Sequence, residues 1–360
     1  MIYLLRASHA NEFELQNYAP IADKLQIQVI TSQNPLTEVS IPSTKLWSPT
    51  DLPDLILRRQ LLNRLIGGEQ WLVGLEKMIE VHSVESIQRN IIHTAETYTP
   101  YTHQAVQLRK RGEIGKLICT CWETIPHNNE KFARLRKWKA EAYEHVDLFH
   151  TPTQRAKQAL ITEGVDPRKI VVIPYGVDLT RFRPQSNLRG LSSQGQSPNI
   201  LTVARLEKEK GMEDLEQVAA RLPQYNFLVA GRGSYTPQGI NIRTTSVPYS
   251  EIHKIYQKSD LFFLPSVSTP TWEEQYGMAL VEAMACGLPV ISTTSGAIPE
   301  VVGDAGVLVP EHDVDKMVKT IKILLRNPDQ MDQLASLGKK CSLLHFDSAK
   351  QANALAQLYD

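Results

Sequence analysis

Residues 266–289 read S-V-S-T-P-T-W-E-E-Q-Y-G-M-A-L-V-E-A-M-A-C-G-L-P. An apolar run, D-L-F-F-L-P, leads into this stretch, and another, P-V-I-S, leads out of it. Short apolar runs bounded by turn residues predict two buried strands. Between them lie a loop with Pro265 and Pro270 and a helix that opens near Gly277. Strand, loop, helix and strand form the repeating unit of a parallel sheet. At such a helix start, free N–H groups and the positive end of the dipole face the loop, so an anion is the expected ligand.

The same alternation runs outward in both directions. Before the stretch, strands are expected at 2–5, 25–31, 90–93, 116–121 and 170–174, with another opening at D-L-F-H-T-P from 147. Helices are expected at 13–24, within 53–80, up to about 111, and at 130–146. The polar stretch 184–198, rich in Ser, Gly, Gln and Pro and without periodicity, reads as a linker. After it the pattern restarts, with strands at 199–204, 227–231, 242–247, 261–264, 289–292 and 307–309, and three helical segments after 313. The reading is an α/β chain of two Rossmann-like parallel-sheet domains. Residues 1–183 form the first and 199–344 the second, and a last helix at about 345–360 crosses back to the first. In such sheets ligands sit at the carboxyl ends of the strands.

Composition narrows the partners. The chain has 360 residues, 42% apolar and 22% charged, with zero formal net charge. A soluble globular protein fits these values, and nucleic acid gains no support as a partner. Residues 1–185 hold 23 Lys and Arg against 20 Asp and Glu, a mild basic excess. Cys119, Cys121, Cys286 and Cys341 follow neither a disulfide framework nor a zinc spacing, so a reduced, cytoplasmic chain is expected. M-I-Y-L-L-R-A is too short for a signal peptide, and no apolar run approaches the roughly 20 residues of a membrane span. The basic stretch K-F-A-R-L-R-K-W-K-A-E-A-Y at 131–143 could rest on anionic lipid as a peripheral contact, although a solvated face over a core stripe is the favoured reading.

Several residues could carry chemistry. Glu282 lies in a helix that is apolar on nearly every side, where a carboxylate is costly unless paired. At about 1.5 Å per residue it sits roughly 7 Å past the helix start, in reach of a ribose diol when a phosphate caps the helix. Glu274, on the preceding loop, could grip sugar hydroxyls on the other side of that phosphate. Arg205 and Lys210, in V-A-R-L-E-K-E-K-G, follow a strand, where a forked and a point cation would suit a pyrophosphate. In the first half Asn11, Glu12 and Glu14 follow the first strand, and Glu96, Glu123 and His127 follow later ones, so all are candidate contacts for a second substrate.

These motifs, with the approach V-I-P-Y-G-V-D-L-T-R-F-R-P, resemble the donor-site signature of the family 4 retaining glycosyltransferases over about residues 147–310. The resemblance implies the GT-B fold, two Rossmann-like domains facing each other across a cleft, and sugar transfer from a nucleotide-sugar with retention, without a catalytic metal or other cofactor. It implies that Arg205 and Lys210 hold the donor diphosphate, Glu282 the ribose and Glu274 the sugar. The backbone at Tyr276, Gly277, Met278 and Ala279 would support sugar and phosphate. Val247 would lie near the base, and His127 near the sugar. Asn11, Glu12, Glu96 and Glu123 would face a glycan, lipid-linked or small-molecule acceptor. Two places depart from the family's pattern. The first loop reads R-A-S-H-A-N-E-F-E instead of glycine-rich, and Asn128 follows His127 where an acid is usual. A catalytically silent nucleotide-sugar binder and a nucleotide-sugar epimerase on the same fold are the competing readings.

Overall fold

The computed structural model describes residues 1–53, 58–79, 90–184 and 197–360. Residues 185–196, most of the expected linker, lie outside the described residues, as does part of the helical pattern expected within 53–80. The chain forms two compact units, Met1–Tyr175 with Ser348–Asp360, and Gly176–Asp347.

The first unit is a seven-stranded parallel sheet in the order β3-β2-β1-β4-β5-β6-β7. Its strands are β1 (Ile2–Ala7), β2 (Ile27–Thr31), β3 (Ser43–Lys45), β4 (Ile91–Ala95), β5 (Lys116–Thr120), β6 (Leu148–Thr151) and β7 (Ile170–Val172). The second is a six-stranded parallel sheet in the order β10-β9-β8-β11-β12-β13. It comprises β8 (Asn199–Val203), β9 (Asn226–Ala230), β10 (Ile242–Thr245), β11 (Leu261–Leu264), β12 (Val290–Thr293) and β13 (Val307–Val309). Central strands such as L-F-F-L of β11 are buried on both faces, which is why they read as continuous apolar runs. In each sheet the strand order reverses once, between β1 and β4 and between β8 and β11, and a crevice for ligands opens where it reverses.

Three expectations are corrected. The single helix at 13–24 is three short pieces, Glu12–Leu15, a 3-10 turn Ala19–Ile21 and Ala22–Leu25. Pro20 lacks an N–H and would collide with the carbonyl four residues back in a continuous helix. Edge strand β3 was not expected, because its three residues S-T-K carry no apolar pattern. The first compact unit ends at Tyr175, not 183. Residues 176–183 belong to the second unit, where the Val177 N–H donates to the Phe346 carbonyl at 2.9 Å and the Phe182 ring packs beside Tyr249 and Tyr256.

The helix Ser348–Ala356 and the turn Gln357–Tyr359 are counted with the first unit. A buried chain of hydrogen bonds holds them there. Tyr359 Oη lies 2.8 Å from His93 Nδ1, and His93 Nε2 lies 2.7 Å from Thr120 Oγ1. Thr120 Oγ1 is 3.0 Å from His150 Nδ1, and His150 Nε2 is 2.8 Å from the Ile173 carbonyl. A carbonyl only accepts, so His150 Nε2 carries the hydrogen. Burial lowers both imidazoles, His150 to about 4, so both are neutral and His150 Nδ1 must accept from Thr120. Thr120 then accepts from His93 Nε2–H, and His93 Nδ1 accepts from the Tyr359 hydroxyl. Every donor in the row has one direction. Beside it Arg6, fully buried in β1, donates to Glu14 through Nε at 2.9 Å, and Tyr175 Oη donates to the same carboxylate at 3.1 Å. Glu14 is thus a core counter-ion and not a substrate contact.

This row has a consequence for pH. A histidine whose folded pKa lies below its unfolded one contributes stability that is complete above the unfolded value and declines as pH falls. For His150 the window runs from 6.5 down to about 4, which corresponds to about 3 kcal/mol. Denaturant unfolding of the wild type and His150→Gln across that window should show this share of the pH dependence vanishing in the variant. Equal slopes in the two proteins would contradict it.

Candidate functional site

The reversal between β8 and β11 brings together two loops of the second unit. The loop after β8 ends in the 3-10 turn Lys208–Lys210 and then Gly211. Gly211 has φ +71°, and a Cβ there would lie 1.7 Å from the Pro265 carbonyl oxygen just past β11. Only glycine allows that approach. The Val267 N–H donates to the Glu209 carbonyl at 2.9 Å and fixes the two loops together.

That stitching brings Lys210 to Glu274. Lys210 Nζ donates to Glu274 Oε1 at 2.9 Å and Oε2 at 2.7 Å, and both side chains are largely buried. Ser266 Oγ donates to Glu274 Oε2 at 2.8 Å. The ammonium also lies 4.7 Å from the centre of the Trp272 ring, a cation–π contact. The loop after β12 braces the backbone of Glu274, whose carbonyl accepts from Ala297 N–H at 2.8 Å. Arg205 is different. Its side chain is 62% exposed and among the described residues ion-pairs only with Glu209, at 3.5 Å, so it can swing toward a ligand at low cost.

The helix Met278–Ala285 begins beside this pair, capped by Gly277 in the left-handed region at φ +84°. The first turn of any helix leaves N–H groups without intrahelical acceptors, here at Met278 and Ala279. Tyr276 is buried with its ring against Phe346, so only its backbone can serve the site. Val247 is half-buried in the segment between β10 and the 3-10 turn Tyr249–Glu251.

Glu282, one and a half turns in, is 3% exposed. The sequence reading expects a ligand to offset that burial, and the structure corrects this. Tyr249 Oη donates to Oε1 at 2.8 Å and Tyr256 Oη to Oε2 at 2.6 Å. Burial nevertheless raises the carboxyl to about 7, while the two tyrosines and the Arg181 charge pull it down. Arg181 stacks over both Phe182 and Tyr249 at 4.7 and 4.6 Å. Glu282 therefore sits at neutrality between acid and carboxylate, with Tyr249 half-buried at its outer side.

In the first unit the expected residues stand at the carboxyl ends of the strands but already carry internal duties. Asn11 caps the first helix, accepting from Glu14 N–H at 2.8 Å. Glu12 accepts from Ser40 N–H and Oγ–H at 2.9 and 2.8 Å. Glu123 accepts from Asn128 and Asn129 Nδ2 at 2.9 and 2.8 Å and from two backbone N–H groups. Glu96 has φ +61°, a strained value for a non-glycine residue, and accepts from Trp122 N–H at 2.8 Å. Burial, then the charge of Glu123, raises its carboxyl to about 8, so near neutral pH it mostly carries its proton. His127, also left-handed at φ +60°, exposes 59% of its side chain and meets Glu130 at 3.2 Å. Ligand atoms of His127, Glu130 and Glu163 lie within 4.8 Å of one another, a spacing a metal could use. Lys139 Nζ already lies between the two carboxylates, 3.0 Å from Glu130 and 2.7 Å from Glu163. A metal ion would have to displace that ammonium, so the donor set does not fit one.

Sequence reasoning missed Trp272, Ser266, Tyr249, Tyr256 and Arg181. A buried Glu with no cation nearby in sequence was the one signal that hydroxyl donors must converge on it.

The family description Glycosyl transferases group 1 matches residues 186–341, and Glycosyltransferase Family 4 matches residues 38–181. D-inositol 3-phosphate glycosyltransferases are similar to this chain. The one from Mycobacterium sp. (strain KMS) is 33% identical over 202 residues, 50% of this chain and 45% of the relative. The one from Mycobacterium marinum is 32% identical over 193 residues, 48% and 40%. The chain thus spans less than half the length of these curated relatives. Among solved structures, Anabaena HepE in complex with UDP and glucose superposes with a TM-score of 0.74 at 17% identity, over 99% of this chain and 98% of that one. Sucrose-phosphate synthase from Thermosynechococcus elongatus gives 0.75 at 18%, over 99% and 98%. The two parallel-sheet units have the GT-B fold, and the chain belongs to the family 4 glycosyltransferases.

Proposed function

We propose that the protein transfers a hexose-type sugar from a nucleotide-sugar to a hydroxyl acceptor with retention at the anomeric carbon, in glycan, polysaccharide or glycolipid synthesis. The observation that carries this reading is the Lys210–Glu274 pair set beside the opening of the Met278–Ala285 helix. A diphosphate arriving at the helix start would take Lys210 and the mobile guanidinium of Arg205, and Glu274 would be released to accept from sugar hydroxyls. The ribose diol would meet Glu282 by displacing or sharing the Tyr249 hydroxyl. Uridine diphosphate sugars are the first donors to try, since UDP and UDP-glucose occupy the Anabaena neighbour. A sugar-phosphate-like polyol is a reasonable first acceptor, given the relatives' inositol phosphate.

Catalysis in this reading is electrostatic. Cations and helix N–H groups stabilise charge on the departing diphosphate. The acceptor hydroxyl attacks on the face the diphosphate leaves and passes its proton to a phosphate oxygen, so the protein needs no general base. No metal or cofactor is required, and the setting is the cytoplasm. A silent nucleotide-sugar binder is the competing reading, and an epimerase fits less well because two separate carboxylates flank the phosphate position.

Transfer and donor hydrolysis screened over UDP- and GDP-sugars test this directly. Tight nucleotide binding without turnover on any acceptor would favour the silent reading. Arg205→Ala is expected to raise the donor KM about tenfold by loss of a charge-assisted contact, with an unchanged melting temperature because the side chain is exposed. An unchanged KM would remove Arg205 from the site.

A further inference from the structure

The loop that carries Glu274 begins in a closed turn. Thr269 and Trp272 pair across it, and the Thr269 N–H donates to the Trp272 carbonyl at 2.7 Å. Pro270 lies inside the turn and fixes its own φ, which stiffens it. Residues 268–271 are exposed, while Trp272 is half-buried.

A row of hydrogen bonds seats this turn. The Ser268 N–H and Oγ–H donate to Glu311 Oε2 and Oε1 at 2.6 and 2.8 Å. A hydroxyl has one hydrogen, so Ser268 Oγ must accept from the Ser295 hydroxyl, 3.0 Å away. Ser295 Oγ in turn accepts from the Glu274 N–H at 3.3 Å. Glu311, just past β13, thus holds both the base of the turn and the backbone of Glu274.

An ammonium has three hydrogens. Two of those on Lys210 go to Glu274, and the Trp272 ring centre lies 4.7 Å from the nitrogen. These two partners differ in what can remove them. The carboxylate leaves when it turns to a sugar, whereas the ring is carried by a braced turn and stays. A lysine is a point charge on a flexible four-carbon stem. Once released from Glu274, an ammonium without the ring would spread over many positions.

We infer that Trp272 is a positioning residue, whose ring holds the Lys210 ammonium in place while Lys210 exchanges Glu274 for an oxygen of the diphosphate. The inference rests on the donor reading above and adds to it a side chain that acts through Lys210.

Titration calorimetry with UDP, or with GDP if that alone binds, tests it on wild type, Trp272→Leu and Trp272→Phe. Both replacements are apolar, but only phenylalanine offers a π face. Leucine should weaken nucleotide binding about tenfold, and phenylalanine should bring it back to within about threefold of wild type. In the Lys210→Met/Glu274→Gln background, which has no ammonium to hold, all three side chains should bind alike. With a nucleotide-sugar, Trp272→Leu should lower kcat more than it raises the donor KM, because charge on the diphosphate grows toward the transition state. Circular dichroism checks folding. Glu311→Gln is a second variant that keeps the ring and loosens its seat, and it should weaken the nucleotide about threefold only while Lys210 is present. Equal affinity of the leucine and phenylalanine variants, or the same loss from Trp272→Leu without the ammonium, overturns the inference and leaves the donor reading standing. Binding of neither nucleotide by the wild type overturns both.

Discussion

Lys210→Ala should cut turnover with a nucleotide-sugar by roughly 10²–10³-fold, the usual effect of removing one preorganised group that faces developing charge. The variant has a second consequence that a surface lysine would not. Lys210 donates to both oxygens of the buried Glu274, and among the described residues the other side-chain donor there is Ser266. Removing the ammonium leaves a buried carboxylate without its counter-ion, which costs about 3 kcal/mol. Lys210→Ala/Glu274→Ala should recover much of that stability and none of the turnover. Glu274→Gln should separate the roles further. Turnover should fall, while UDP should bind as tightly as to wild type or a few-fold tighter, because the carboxylate no longer competes for Lys210. Kinetics, UDP titration calorimetry and thermal melts of the four proteins read these outcomes. If Lys210→Ala keeps turnover within about threefold of wild type, against the expected loss, the donor assignment fails.

Glu282 carries the second large effect. Burial lifts its carboxyl to about 7, so the free protein holds a proton there through the acidic range. The ionised form accepts from a diol best, so nucleotide affinity should rise about tenfold from about pH 6 to about pH 8 and be flat in Glu282→Gln. Stability runs the opposite way. A carboxyl raised from 4.5 to about 7 contributes stability at low pH that is lost as pH rises through that window, about 3 kcal/mol in all. Glu282→Gln should remove that decline. Tyr256→Phe deletes the 2.6 Å donor and should push the affinity midpoint to higher pH. A midpoint unmoved by Tyr256→Phe would mean that another group sets the profile.

Much of this architecture can be read from the chain because parallel strands are buried on both faces. The runs at β1, β8, β11 and β12 are apolar without alternation, and each is followed by a helix pattern. The donor-side residues are legible for a related reason, since strand ends and helix starts occur where the patterns change. Pairings across long sequence separations are not. Lys210 meets Glu274 across 64 residues, and Glu282 finds its tyrosines 26 and 33 residues earlier. Arg6, inside an otherwise apolar strand, gives no hint that Glu14 and Tyr175 await it in the core. Asn11 and Glu12 look available in sequence because capping and loop-pinning hydrogen bonds appear only once the chain has turned.

The row from Tyr359 to Ile173 also bears on how the chain is made. Synthesis delivers residues in order, and domains generally close as they emerge. The sheet of the first unit emerges first, yet the hydroxyl that completes its buried row, at Tyr359, arrives after every residue of Gly176–Asp347. The second unit therefore has all its residues before the first does, and until Tyr359 emerges and docks His93 lacks its hydroxyl donor in the middle of β4.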